Sequence, residues 1–128
     1  MNIFYLDKSA VISAQYMCDK HVVKMILESA QLLCTAHHVC PSDAERPEKF
    51  YKKTHVNHPC AIWCSANIPN IPSGKLTEMP QCMPDEYKMD DPVLGYRNYY
   101  KHGKAHLHNW KNRSVPYWII SKKSKVIA

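Results

Sequence analysis

The hydrophobic and polar positions of the first forty residues predict one short strand followed by two helices. Residues 2–6 are aromatic and aliphatic and stop at Asp7, which is typical of a strand. The side chain of Asp7 or of Ser9 can cap a helix over residues 10–17. A longer helix is expected over Asp19–His38, because this stretch contains neither Gly nor Pro and Pro41 prevents its continuation.

The second half of the chain is interrupted more often. Pro59 opens an apolar stretch that predicts two turns of helix up to Asn67. Residues 68–92 contain five prolines, a density that excludes any long regular element. A last helix is expected from Val93 to about Asn112.

These elements predict a mainly α fold: a small single-domain helical bundle with a short N-terminal strand and an irregular proline-rich strap. A length of 128 residues fits one domain. We expect a helical body over 1–67 that holds the candidate active site, the strap over 68–92 and a basic C-terminal segment over 93–128.

The long predicted helix carries a polar stripe on an arc about 100° wide. Apolar residues cover the rest of its circumference, so we expect the helix to be buried on most sides and the stripe to face a cleft. A stripe that faces bulk water is the alternative. The stripe consists of His21, Lys24, Glu28, Gln31, Thr35 and His38.

The stripe combines acidic, basic and neutral polar side chains, which together can donate, accept and transfer protons. This mixture favours a catalytic role over that of a solvent-facing helix surface. Its candidate catalytic residues are His21, Lys24 and Glu28, and the candidate binding residues on this helix are Lys20 and Gln31.

A second polar segment, residues 54–60, precedes the proline-initiated helix. His55, Asn57 and His58 are predicted to bind substrate in the cleft that holds Glu28. A zinc site that also uses the nearby cysteines is the alternative, but the ligand spacing matches no standard zinc motif. We therefore predict no metal and no other cofactor.

The charge of the chain is divided unevenly. The sequence has 17 Lys and Arg against 11 Asp and Glu, and residues 93–128 contain eight of these bases and no acid. Aromatic residues alternate with the Lys and Arg residues there. This pattern suits nucleic acid, whose phosphates bind cations and whose nucleobases stack on aromatic rings. The candidate binding residues are Arg97, Tyr100, Lys101 and Trp110, and amphipathic packing is the alternative interpretation.

The sequence also bears on location. No apolar stretch is long enough for a membrane span, and the first residues do not form a signal peptide. We therefore expect a cytoplasmic protein without a membrane partner, whose six cysteines are reduced.

Several stretches together resemble a family of small bacteriophage proteins labelled as pyrimidine-dimer DNA glycosylases, and the resemblance covers nearly the whole chain. It implies that the N-terminal amine, here that of Met1, attacks the sugar C1′ to form a Schiff base. It also implies that Glu28 stabilises the cationic intermediate and assists strand cleavage. The stretches are residues 1–6, residues 18–25 with Glu28 and Gln31, residues 54–59, residues 83–88 and residues 96–100.

Two function hypotheses follow, both set in the cytoplasm of an infected bacterial host. The first is a DNA glycosylase and AP-lyase that uses Met1 and Glu28. The alternative is a viral anti-defence protein that binds, or hydrolyses without metal, a small cyclic nucleotide. A purely structural phage protein is a third interpretation. The phage proteins have a longer helical insert after Trp63, so a second copy of the chain is a candidate partner that completes the pocket.

Overall fold

The computed structural model describes residues 2–40 and 51–121, and these residues are mainly helical, as predicted. Three expected features lie outside the described residues: the amine of Met1, most of the polar connection after Pro41, and the lysines at 122, 123 and 125. The α-helices are α1 (Ala10–Gln15), α2 (Asp19–Val39), α3 (Pro59–Asn67), α4 (Pro92–Asn98) and α5 (Tyr117–Ile120).

The bounds of α2 and α3 confirm the sequence-based prediction almost to the residue. The predicted N-terminal strand is wrong, because the described residues contain no strand and residues 2–6 are irregular. The hydroxyl of Ser13 in α1 accepts a hydrogen bond from Leu6 N–H at 3.0 Å and donates one to the carbonyl of Phe4 at 3.1 Å. This side chain thus satisfies the backbone groups that a neighbouring strand would otherwise pair.

The last predicted helix is shorter than expected. Asp91 caps α4 by accepting a hydrogen bond from Val93 N–H at 2.9 Å, but the regular helix ends at Asn98. A π-helical turn over Tyr99–Gly103 follows and is closed by a bond from Lys104 N–H to the carbonyl of Tyr99. Gly103 ends this turn, and a larger residue there would clash, since a Cβ would lie 2.6 Å from the ring of Tyr99.

The described chain forms two compact units. Of the described residues, the middle unit contains 2–3, 25–40 and 51–80, and the terminal unit contains 4–24 and 81–121. One boundary falls within α2 and another after Pro80, so the units differ from the predicted body, strap and C-terminal segment. The prediction of a single domain stays a prediction.

The terminal unit has an aromatic interior. Leu6, Tyr96 and Tyr100 have no exposed surface, and Trp118 of α5 is buried as well. The guanidinium of Arg97 joins the start of the unit to its end, since it lies 5.5 Å from the ring centre of Trp118 and donates from Nε to the carbonyl of Leu6 at 2.8 Å.

The strap segment of the middle unit is irregular but well anchored. A 3-10 helix over Ile68–Ser73 ends at Gly74, whose φ of 68° suits glycine. Asn67 and Trp63 of α3 then hold the returning chain, because Trp63 Nε1 donates to the carbonyl of Thr77 at 3.1 Å. No long regular element occurs in residues 68–92, as their prolines predict.

Candidate functional site

Four of the six stripe residues of α2 lie on the buried side of the helix, whereas Lys24 and His38 are exposed. His21 and Thr35 are 3% and 0% exposed, and Glu28 and Gln31 are half-buried. The opposite side presents apolar residues to solvent, with Val23 75% exposed. The expectation that α2 is buried on most sides is therefore wrong, and so is the alternative that the whole stripe faces bulk water.

Within the middle unit, Thr35 fixes the chain that leads to the second polar segment. Its hydroxyl accepts a hydrogen bond from Thr54 N–H and donates one to the Thr54 carbonyl, each at 3.1 Å. One turn further along α2, His38 Nε2 lies 2.9 Å from the carbonyl of Tyr51. Thr35 and His38 of the stripe thus hold the backbone at Thr54 and Tyr51. Residues 55–58 follow directly after this anchored segment.

The two histidines of this segment have local partners. His58 caps α3, because its Nδ1 accepts a hydrogen bond from Cys60 N–H at 3.1 Å. Burial and the neighbouring His55 lower the pKa of His58, so its ring is neutral near pH 7 and carries its proton on Nε2. His55 has a positive φ of 51°, uncommon for a residue other than glycine, and its Nδ1 lies 2.8 Å from Thr54 Oγ1.

Glu28 is the acidic residue of the stripe. It lies two helical turns before Thr35, about 10 Å along the axis on the same side of α2. Its side chain is half-buried. The middle unit brings five predicted site residues into one compact body: Glu28, Gln31, His55, Asn57 and His58.

Two other predicted catalytic residues, His21 and Lys24, belong to the terminal unit. The ring of His21 stacks on Phe4 at 4.6 Å between centres, and its Nδ1 lies 2.8 Å from the hydroxyl of Tyr100. Burial and the positive charges of nearby lysines lower the pKa of His21 to about 4. His21 and Tyr100 are therefore buried in the interior of the terminal unit, and their predicted roles in catalysis and in phosphate binding stay predictions. Lys20 and Lys24 are exposed.

The remaining predicted phosphate ligands of the terminal unit make internal contacts. Arg97 forms an ion pair with Asp7 at 3.0 Å, and Lys101 donates to the backbone carbonyl of Ser121. Trp110 packs edge-on to His108 at 5.4 Å. Amphipathic packing thus explains most of the aromatic and basic alternation, and phosphate binding by these residues stays a prediction.

Comparison with protein-family models, with curated proteins and with solved structures finds no match for this chain. Within the described ranges, no helix has both the length and the hydropathy that crossing a membrane requires.

Sequence reasoning missed the residues that shape the chain around Arg113. Asp19 at the start of α2 accepts hydrogen bonds from Lys111 N–H at 3.0 Å and from Asn112 N–H at 3.1 Å. Its own N–H donates to the carbonyl of Asn109. The only signal in the sequence was an acidic residue in a first helical turn, which does not identify a partner more than ninety residues away.

Proposed function

We propose that the chain is a DNA glycosylase with an associated lyase step, acting in the cytoplasm of an infected bacterium. The proposal is carried by one observation: Asn2 and Ile3, the residues next to Met1, belong to the same compact unit as Glu28. An N-terminal amine and a helical carboxylate are the two groups that the resemblance to the phage proteins requires.

The chemistry needs no cofactor. The unprotonated α-amine attacks C1′ of the target deoxyribose, and the base leaves with the electron pair of the glycosidic bond and takes up a proton. Opening of the sugar ring gives a protonated Schiff base. Loss of a proton from C2′ then expels the 3′-phosphate with its bonding pair, and water hydrolyses the Schiff base to restore the amine.

Glu28 suits two steps of this sequence. Its carboxylate stabilises the positive charge that develops at C1′, and such an interaction strengthens when water is partly excluded. The same oxygen atoms accept the C2′ proton. An α-amine has a pKa of about 7.7 to 8.0 in peptides, so a useful fraction is unprotonated near neutral pH.

The burial of His21 supports this proposal over the cyclic-nucleotide alternative. That alternative needs His21, Lys24, Glu28, His55 and His58 to cradle a small phosphodiester. His21, however, is enclosed by Phe4 and Tyr100, and its low pKa keeps it uncharged. A neutral buried imidazole offers little attraction to a phosphate.

Borohydride trapping tests the proposal. The protein is incubated with a duplex that contains an abasic site and with one that contains a pyrimidine dimer, and adducts and cleaved strands are quantified. We expect a covalent adduct, lost when the α-amine is acetylated, and a fall in strand cleavage of roughly a hundredfold in Glu28→Gln. Glu78→Gln, at an exposed residue of the same unit, should cleave normally.

Two results would overturn the proposal. One is the absence of an adduct on both duplexes. The other is an adduct that survives acetylation of the α-amine, since a lysine would then be the nucleophile. Intact mass of the purified protein establishes that Met1 carries the amine in the sample tested. A thermal shift with cyclic nucleotides, together with no adduct, would favour the alternative.

A further inference from the structure

The terminal unit contains a pocket that the proposed glycosylase chemistry does not use. It has a volume of about 410 Å³ and lies between the end of α1 and the chain that leads into α5. This volume falls within the range of small-molecule sites. Residues that line it include Gln15, Tyr16, Asn112, Arg113, Ser114 and Tyr117.

The pocket carries a positive charge on a side chain with spare donors. Arg113 Nη1 donates to the carbonyl of Ala14 at 3.0 Å, and within the described chain this is the one partner of its guanidinium. A guanidinium has five N–H donors, so four have no hydrogen-bond partner among the described residues. None of the described residues that line the pocket is acidic.

Two aromatic rings complete the lining. Arg97 lies 5.6 Å from the ring centre of Tyr16 and 6.0 Å from that of Tyr117, and its Nη1 lies 3.4 Å from the Tyr117 hydroxyl. Arg97 is itself held by Asp7. The ring of Tyr117 contacts Arg97, and because the residue is 67% exposed it still presents surface to a ligand.

The backbone next to Arg113 is also fixed before any ligand binds. Asp19 accepts hydrogen bonds from the two consecutive N–H groups of Lys111 and Asn112 and from the Asn112 side chain at 3.3 Å. A preformed site loses less conformational entropy on binding than a mobile one. Arg113 therefore extends from an anchored segment.

We propose that this pocket binds one nucleotide, with the phosphate on the Arg113 guanidinium and the base against the ring of Tyr117. A guanidinium recognises phosphate through paired hydrogen bonds, and aromatic rings stack on bases with little sequence preference. The nucleotide can be free or part of a single DNA strand, since both present the same phosphate and base. The site is independent of Glu28, so its failure and that of the glycosylase proposal are distinguishable.

Calorimetric titration of the full chain tests the site. The probes are deoxyadenosine 5′-monophosphate, deoxyadenosine, inorganic phosphate and a deoxyadenosine trinucleotide. We expect the monophosphate to bind more tightly than either the nucleoside or phosphate, with an affinity that falls as salt is raised. A trinucleotide that binds more tightly than the monophosphate identifies a DNA strand as the ligand, and equal affinities identify the free nucleotide.

Variants locate the binding. Arg113→Gln should weaken the monophosphate roughly tenfold or more, and Tyr117→Leu should weaken it while leaving inorganic phosphate unchanged. The matched control is Lys111→Gln, which removes an exposed positive charge two residues away without altering the lining. Monophosphate binding no tighter than phosphate, or equal losses in Arg113→Gln and Lys111→Gln, would overturn the proposal. Circular dichroism of each variant confirms that it is folded.

Discussion

The hydroxyl of Tyr100 lies 2.8 Å from Nδ1 of His21. The same oxygen accepts a hydrogen bond from Cys18 N–H at 2.8 Å, and its own proton can be donated to the imidazole. The low pKa of His21 keeps the ring neutral near pH 7, so that Nδ1 can act as the acceptor of this bond. The stability of the terminal unit therefore depends on an uncharged histidine.

This relationship predicts a loss of stability in acid. The pKa of His21 is about 4 in the folded chain because of burial and nearby lysines, against 6.5 as its usual value. Between these pH values the unfolded chain binds the extra proton, so the free energy of unfolding falls as the pH decreases from about 6.5 to 4. We expect His21 to contribute a loss of about 2 kcal/mol between pH 7.5 and 5, measured by urea unfolding.

Other groups titrate over the same range, so the comparison with a variant isolates His21. His21→Asn keeps an acceptor near the Tyr100 hydroxyl but cannot be protonated, and its unfolding free energy should change less with pH. His106→Asn, at an exposed histidine of the same unit, should follow the wild type. Identical pH profiles for His21→Asn and the wild type would contradict the prediction.

Gly95 in α4 lies against the chain that precedes the helix. A Cβ at this position would overlap the side-chain amide of Gln81 and lie 3.2 Å from the backbone nitrogen of Met89. The Gln81 amide cannot easily move, since it accepts a hydrogen bond from Met89 N–H and donates one to the Met89 carbonyl. Gly95→Ala should therefore lower the melting temperature despite the better helix propensity of alanine, with a cost of roughly 1–3 kcal/mol. A raised melting temperature would show that the Gln81 side chain gives way.

The planar guanidinium of Arg97 explains why a lysine should not replace it. Nε donates to the Leu6 carbonyl at 2.8 Å while Nη2 donates to Asp7 at 3.0 Å, and the group also lies beside three aromatic rings. A lysine cannot make both bonds at once. Arg97→Lys should lower the free energy of unfolding by roughly 1–3 kcal/mol. Arg113→Lys is the control: it loses one bond, to Ala14, so equal effects would argue against a special role for Arg97.

The predictable parts of the fold are those with local causes. Pro59 and the apolar residues after it determine α3, and the absence of Gly and Pro determines the length of α2. The irregular course of residues 2–6 depends on Ser13, whose hydroxyl replaces a partner strand. A hydrophobic pattern gives the period of an element but does not identify its partner.

In the candidate site, too, the features with local causes could be predicted and those that depend on distant residues could not. Glu28 and residues 55–58 belong to one unit, while their expected convergence on a cleft stays a prediction. His21 belongs to the same stripe by spacing, yet it contacts Tyr100, 79 residues away along the chain. Helical periodicity gives the side of α2 on which His21 lies but not the residue that meets it there. The buried Tyr100 hydroxyl gives the His21 imidazole a structural partner in the core.

Asn67 anchors the strap segment of the middle unit, and removing its amide should loosen that segment. Its Oδ1 accepts a hydrogen bond from Thr77 N–H, and its Nδ2 donates to Thr77 Oγ1 and to the Trp63 carbonyl. Because the side chain is buried, Asn67→Ala leaves several of these groups unpaired. We expect a loss of roughly 1–3 kcal/mol in unfolding free energy and faster hydrogen exchange at the Thr77 amide.

Asn70→Ala is the control, because it removes one donor to Asn67 but leaves the hydrogen bond from Thr77 N–H to Asn67. In this variant the Thr77 amide should be protected from exchange nearly as well as in the wild type. Unchanged exchange at Thr77 in Asn67→Ala would mean that the backbone carbonyl of Thr77, held by the Trp63 indole, is sufficient to fix the segment.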